Sequence, residues 1–219
     1  MQDIVIVGVG GLGREIAEWI EDINEVQPTY RVLGFIDDDP AKQGALRHDL
    51  PVLGGVDWVI ERSRTVATVI GLGNPAPKRR VVERLRPHSA GFPTVIHPNA
   101  IVGRFVELGE GCVVCPGVIL TTDIRVGCFV TFNFDLTVGH DATIDDYVTL
   151  APGVHLSGYT KLGEGADLGA GVATVPSVEI GAWSVVGAGA AVTRSLPANC
   201  TAVGVPARVI KTRAPGWHL

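Results

Sequence analysis

The chain has 219 residues, with 18 Lys and Arg against 23 Asp and Glu and a formal charge of −5. That acidic balance argues against a nucleic-acid partner, which selects a basic face, and no run of about 18 apolar residues exists to span a bilayer. The opening residues MQDIVIVGVGG lack the basic and long apolar stretches of a secretory leader, so a cytoplasmic location is expected.

Residues 1–95 read as alternating strand and helix. Ile4 to Val7 is a short apolar run ending at Gly8, as in a buried parallel strand. From Gly13 to about Val26, Ile16, Trp19, Ile20 and Ile23 recur at helical spacing. A second strand, Tyr30 to Ile36, runs into the acidic turn Asp37-Asp38-Asp39-Pro40. A third, Val66 to Ile70, ends in Gly71-Leu72-Gly73-Asn74-Pro75 before a helix near Lys78 to Leu85. This is the βαβ grammar of a Rossmann-like parallel sheet. Gly8-x-Gly10-x-x-Gly13 falls where a helix N-terminus offers free N–H groups to a phosphate. Taken alone it is an NAD fingerprint, with Asp37 placed to hold a ribose or base. The segment is short for a complete dinucleotide domain, and no hydride-transfer residues follow it.

At Ile96 the grammar changes to a period of six, which holds to Pro197. Sixteen of seventeen first positions, from Ile96 and Val102 to Val192, are apolar, and eight second positions are glycine. Fifth positions are mostly small or β-branched, as at Ala100, Cys112, Ala142 and Ala166. A strict hexad is the signature of a parallel β-helix. Three hexads make one triangular coil of 18 residues, which advances about 4.8 Å along the axis. The expected division is 1–95 for the α/β domain and 96–219 for the β-helix with its C-terminal cap. Among the four cysteines, Cys112-x-x-Cys115 resembles half a metal site, but no second pair answers it, so no metal is expected.

Uninterrupted [LIV]-G-x-x-[small]-x hexads, closed by Gly204-Val205-Pro206-Ala207-Arg208-Val209-Ile210, resemble the hexapeptide-repeat acyltransferases. Gly8 to Gly13, Gly34 to Asp39 and Ile70 to Asn74 are similar to their sialic acid O-acetyltransferase and nucleotide-amino-sugar N-acetyltransferase branch. The resemblance implies a left-handed β-helix, a homotrimer, acetyl-CoA as co-substrate and a nucleotide-linked amino sugar as acceptor.

Direct acyl transfer needs a base, an oxyanion donor and a groove for the thioester arm. His140 stands at the third position of its hexad and should point outward. Asp141 follows it, as an acidic residue follows the catalytic His in this branch, and a neighbouring carboxylate fixes the imidazole tautomer. Eighteen residues on lies Gly158, one coil away on the same edge, where a bare N–H suits the oxyanion. The resemblance adds Asn133 for placing the acceptor sugar. It adds Thr149, Gly158, Ala170 and Ala188 as coenzyme A contacts, although many relatives carry His where Thr149 stands. For the nucleotide sugar it implies a pocket of Gly10, Gly11, Leu12, Asp37, Asp38, Gly73 and Asn74, with Leu12 where relatives often have His. Three alternatives stay open. They are O-acetylation of a sugar hydroxyl, a metal-dependent β-helix hydratase, for which His97, His140 and His155 form no close set, and a non-catalytic nucleotide-sugar sensor.

Overall fold

A computed structural model describes residues 1–218. Contacts divide the chain into two compact units, Met1–Gly73 with Pro77–Pro98, and Asn74–Ala76 with the residues from Asn99 onward.

The first unit is built on a five-stranded sheet in the order β3-β4-β2-β1-β5. The central strand β1 (Gln2–Val7) pairs in parallel with β2 (Tyr30–Ile36) and β5 (Ala67–Ile70). Ile4, Val5, Ile6 and Val7 are all buried, as befits a strand with both faces covered. Helix α1 (Gly11–Val26) buries Ile16, Ala17, Trp19 and Ile20 along one stripe. It crosses β1 so closely that a Cβ at Gly13 would lie 1.8 Å from the Gly8 carbonyl oxygen, so only glycine fits there. Helix α3 (Pro75–Leu85) starts three residues earlier than the sequence predicts. Three elements escape the sequence reading, the hairpin β3 (Leu46–Arg47) and β4 (Leu50–Gly54) and the short helix α2 (Asp57–Glu61). The hairpin turns at His48 and Asp49, both at positive φ (46° and 59°). That is the geometry usually announced by Asn-Gly, so His-Asp gives no warning of it.

The second unit is a parallel β-solenoid. A two-residue strand recurs every six residues, and partners stand eighteen apart, as in Ile119↔Thr137 and Thr137↔His155. Two faces carry six and five such strands. The third passes from Val113–Val114 through Thr131–Phe132, Thr149–Leu150, Asp167–Leu168 and Val185–Val186 to Cys200–Val203, closed by antiparallel Arg208–Thr212. First-position side chains are buried from Val114 onward, but Val102 in the first coil is 37% exposed. An end coil closes the interior from one side only.

The turns obey a rule that the apolar pattern does not reveal. From Phe105 to Gly189, all fifteen fourth-position residues have positive φ. Six are Gly and three are Asp, residue types that enter this region most easily. From Phe129 to Gly189 each fourth-position N–H donates to a carbonyl of the preceding coil, so that Phe129 donates to the Glu110 carbonyl, Asp141 to Thr122 and Tyr159 to His140.

Candidate active site

His140 and Asp141 occupy the third and fourth places of one such turn. The left-handed conformation of Asp141 (φ 58°) brings its carboxylate back to the preceding side chain, and Oδ2 lies 2.8 Å from His140 Nδ1. The backbone is held from both sides. Asp141 N–H donates to the Thr122 oxygen at 3.2 Å, and Tyr159 N–H donates to the His140 oxygen at 2.9 Å. Both side chains remain open to solvent, at 55% and 43% exposure.

Gly158 lies against the imidazole. A Cβ there would stand 2.8 Å from both Cε1 and Nε2 of His140, inside any allowed contact. The Gly158 carbonyl accepts from Ser177 N–H, but its own N–H has no protein acceptor among the described residues. On another edge the matching turn amide is covered, since Cys128 N–H donates to the Asp146 carboxylate one coil on, at 2.7 Å. One coil beyond Gly158 stands Pro176, which offers no such acceptor. The edge therefore carries an oriented imidazole beside an unspent donor. Beside Asp141 a cavity of about 400 Å³ is lined by Phe105, Asp123, Arg125, Asp141 and Thr143, among others.

The other solenoid residues stand elsewhere. Ala170 and Ala188 are exposed turn residues one coil apart, and Gly169 fits under the Ala188 amide because a Cβ would meet that nitrogen at 2.7 Å. Asn133, two coils before Gly169, belongs to the same edge, and its Oδ1 accepts from Phe134 N–H at 2.9 Å. Thr149 is buried in its strand on the face that leads to that edge. Within one chain the register keeps this set apart from His140 and Gly158. His155 points outward to Thr137 Oγ1 at 3.0 Å, and His97 is buried against Asp22 at 2.9 Å. Among the described residues no three His, Cys, Asp or Glu are grouped to hold a metal ion.

In the α/β unit a smaller cavity of about 190 Å³ is lined by Val7, Gly8, Ile36, Asp37, Asp38 and Leu72, with two more valines. Asp37 Oδ2 accepts from Val9 N–H at 3.2 Å and pairs with Lys42 at 3.2 Å, while Oδ1 accepts from Asp39 N–H. Burial opposes charge on Asp37, yet the Asp39 and Val9 amides and the Lys42 ammonium outweigh it and hold the carboxyl below its usual range. Asp38 Oδ1 accepts from Val56 N–H at 2.7 Å. Gly10 and Gly11 leave open space where a Cβ would stand. Leu12 is half-buried, and neither it nor those glycines line this cavity. Gly73 also faces open space, and Asn74 caps α3 by accepting from Ala76 N–H at 3.1 Å. Sequence reasoning missed Lys42 and Tyr159. Nothing local marks Lys42, whereas the eighteen-residue register points to Tyr159 as the neighbour after Gly158.

A solenoid of unbroken hexads with an outward His-Asp pair on a bare-amide edge defines a hexapeptide-repeat acyltransferase. Residues 3–85 match the family described as the PglD N-terminal domain. GDP-perosamine N-acetyltransferase from Escherichia coli O157:H7 is 36% identical over 151 residues, covering 67% of this chain and 68% of that protein. Perosamine N-acetyltransferase from Caulobacter crescentus, solved as a histidine-to-asparagine variant in complex with CoA and GDP-perosamine, superposes with a TM-score of 0.87 at 29% identity, covering 96% of this chain and 98% of that one. The acetyltransferase domain of PglB from Neisseria gonorrhoeae gives 0.86 at 28%, covering 96% of this chain and all of that one. The chain belongs to the hexapeptide-repeat acetyltransferases, in the branch with a PglD-type N-terminal domain and a left-handed β-helix.

Proposed function

We propose that the protein acetylates the amine of a nucleotide-linked amino sugar directly from acetyl-CoA. The observation that carries this reading is the His140 imidazole, oriented by Asp141 and laid against the bare Gly158 N–H. His140 Nε2 removes the amine proton as nitrogen attacks the thioester carbonyl, and Gly158 N–H receives the oxyanion. The intermediate collapses with loss of the coenzyme A thiolate, leaving the amide. No acyl-enzyme forms, because no Cys or Ser among the described residues is paired with His140.

The two units divide the work, with residues 1–95 holding the nucleotide sugar through Asp37 and Asp38 and residues 96–219 carrying the transfer. The exposed Ala170 and Ala188 suit a thioester arm laid along their edge, with Thr149 and Asn133 nearby. Since the register separates that edge from His140, a complete site needs a second copy of the chain, and a cytoplasmic homotrimer meets that need. The similarity to GDP-perosamine N-acetyltransferase favours an amine acceptor. Galactoside O-acetyltransferase from Escherichia coli, 34% identical over 52% of this chain and 71% of that protein, keeps a hydroxyl acceptor as the second reading. His140→Ala should lower kcat by about 10²–10⁴-fold, the usual contribution of a general base. Thiol release measured with acetyl-CoA and a panel of nucleotide amino sugars and free sugars checks both points. An unchanged kcat removes His140 from the role, and turnover only on hydroxyl acceptors removes the N-acetyl reading.

A further inference from the structure

Tyr159 stands beside the proposed base. Its ring centroid lies 5.2 Å from that of His140, with the planes at 88°, the T-shaped arrangement that aromatic pairs favour. It occupies the fourth turn position at φ 60°, which a side chain with a Cβ enters only at a cost. Burial offsets that cost for the bulky aromatics on a neighbouring edge. Phe129, Tyr147 and Trp183 are 1%, 8% and 5% exposed, and the rings of Phe129 and Tyr147 stack at 5.5 Å. Tyr159 has no such reason, being 52% exposed. Phe105, on this edge one coil before Asp123 and two before Asp141, is also exposed, but its ring lies over no imidazole and lines the cavity beside Asp141. The Tyr159 hydroxyl makes no hydrogen bond among the described residues, so the ring rather than its polar tip makes the contact.

We infer that Tyr159 is a positioning residue for acetyl transfer, resting on the reading of His140 as base. Its ring is the third side of a clamp whose other sides are Asp141 at Nδ1 and Gly158 against Cε1 and Nε2. Three contacts from two successive coils hold the imidazole, with Nε2 as the ring nitrogen that has no hydrogen-bond partner among the described residues. Nothing in this role requires the phenol oxygen, which separates it from an acid–base role for Tyr159.

The test compares full-length wild type, Tyr159→Ala, Tyr159→Phe and His140→Ala, using acetyl-CoA with GDP-perosamine or the nucleotide amino sugar that the wild type uses fastest. Tyr159→Ala should lower kcat about tenfold, with KM for both substrates within about twofold, the size of effect that one aromatic pair supports. Tyr159→Phe should restore wild-type kcat. A wild-type kcat in Tyr159→Ala, a change confined to KM, or a Tyr159→Phe enzyme as slow as Tyr159→Ala would overturn the inference. His140→Ala distinguishes the two failures, since full activity there sinks the base reading itself. A crystal structure of Tyr159→Ala reads the clamp without any acceptor. The His140 ring in more than one orientation supports the inference, and an unmoved ring overturns it.

Discussion

The solenoid and the α/β unit solve the problem of placing functional groups in different ways. In the solenoid a fixed eighteen-residue coil turns sequence distance into spatial distance, so His140 meets Gly158 because the numbers differ by eighteen. In the α/β unit the groups that meet at the small cavity come from the ends of β1 and β2, from the segments before α2 and α3 and from α3 itself, brought together only by tertiary packing. The first arrangement is rigid and intolerant of length changes. The second tolerates them in its loops but leaves its pocket chemistry to chance contacts such as Lys42 on Asp37.

The sharpest way to break this contrast is to change length. One residue inserted between the paired, buried Thr149 and Leu150 puts His140 and Gly158 out of register. Activity should fall by about 10²-fold or more, the effect of an ångström-scale displacement of a reacting group. The same insertion in the exposed turn between Pro40 and Gly44 of the α/β unit should leave kcat within about twofold. Steady-state kinetics on both variants decides it, and equal losses would end the distinction.

Next in size is Gly158→Ala. Gly158 is not among the residues at positive φ, and the atoms nearest to an added Cβ are those of the imidazole, so alanine presses on the ring without backbone strain. The ring must move by several tenths of an ångström, and kcat should drop roughly 10- to 100-fold while the thermal midpoint stays within a few degrees. Asp141→Asn keeps an oxygen near His140 Nδ1 but removes the charge, and a loss of about tenfold in kcat is expected. By contrast Asp38→Ala frees the Val56 amide and removes a cavity wall in the other unit. Its effect should fall on KM for the nucleotide sugar, about tenfold, with kcat preserved. Substitutions in both units that lowered kcat alone would contradict the division of labour.

The same contrast explains what was legible in the sequence. The hexads announce the β-helix, and the third position of His140 with its partner at Gly158 follows from counting. The fourth-position rule stays hidden because positive φ is satisfied by Gly111, Asp141 and Tyr159 alike, residues with no shared polarity. Tyr159 is missed for that reason. In the α/β unit, β1, α1, β2 and β5 carry apolar runs and are readable, whereas β3, β4 and α2 are short and set by a His48-Asp49 turn. Lys42 reaches Asp37 from five residues away across an irregular turn, which no periodicity encodes.

The smallest expected effect gives the two units pH slopes of opposite sign. Asp37 in the α/β unit has its carboxyl held low, so the stability it contributes is complete above the ordinary carboxylate range and is lost as pH falls through its folded value. Asp145 on the solenoid goes the other way. Burial and then repulsion from Asp146 raise its carboxyl, so the folded state gains stability at low pH and loses it as pH rises through the folded value. Relative to wild type, Asp37→Asn should therefore be destabilised near pH 7, with the difference shrinking below about pH 4. Asp145→Asn should be stabilised near pH 7, because the Asn oxygen can still accept the Glu164 amide while the charge is gone. That gain should fade on the same acid side. Both carboxylates are partly solvated, so each shift should be only about 1–2 °C in Tm. Differential scanning fluorimetry from pH 3 to pH 7 reads both slopes in one experiment. Parallel slopes would mean that the Lys42 pairing and the Asp146 repulsion do not set the behaviour of these two groups.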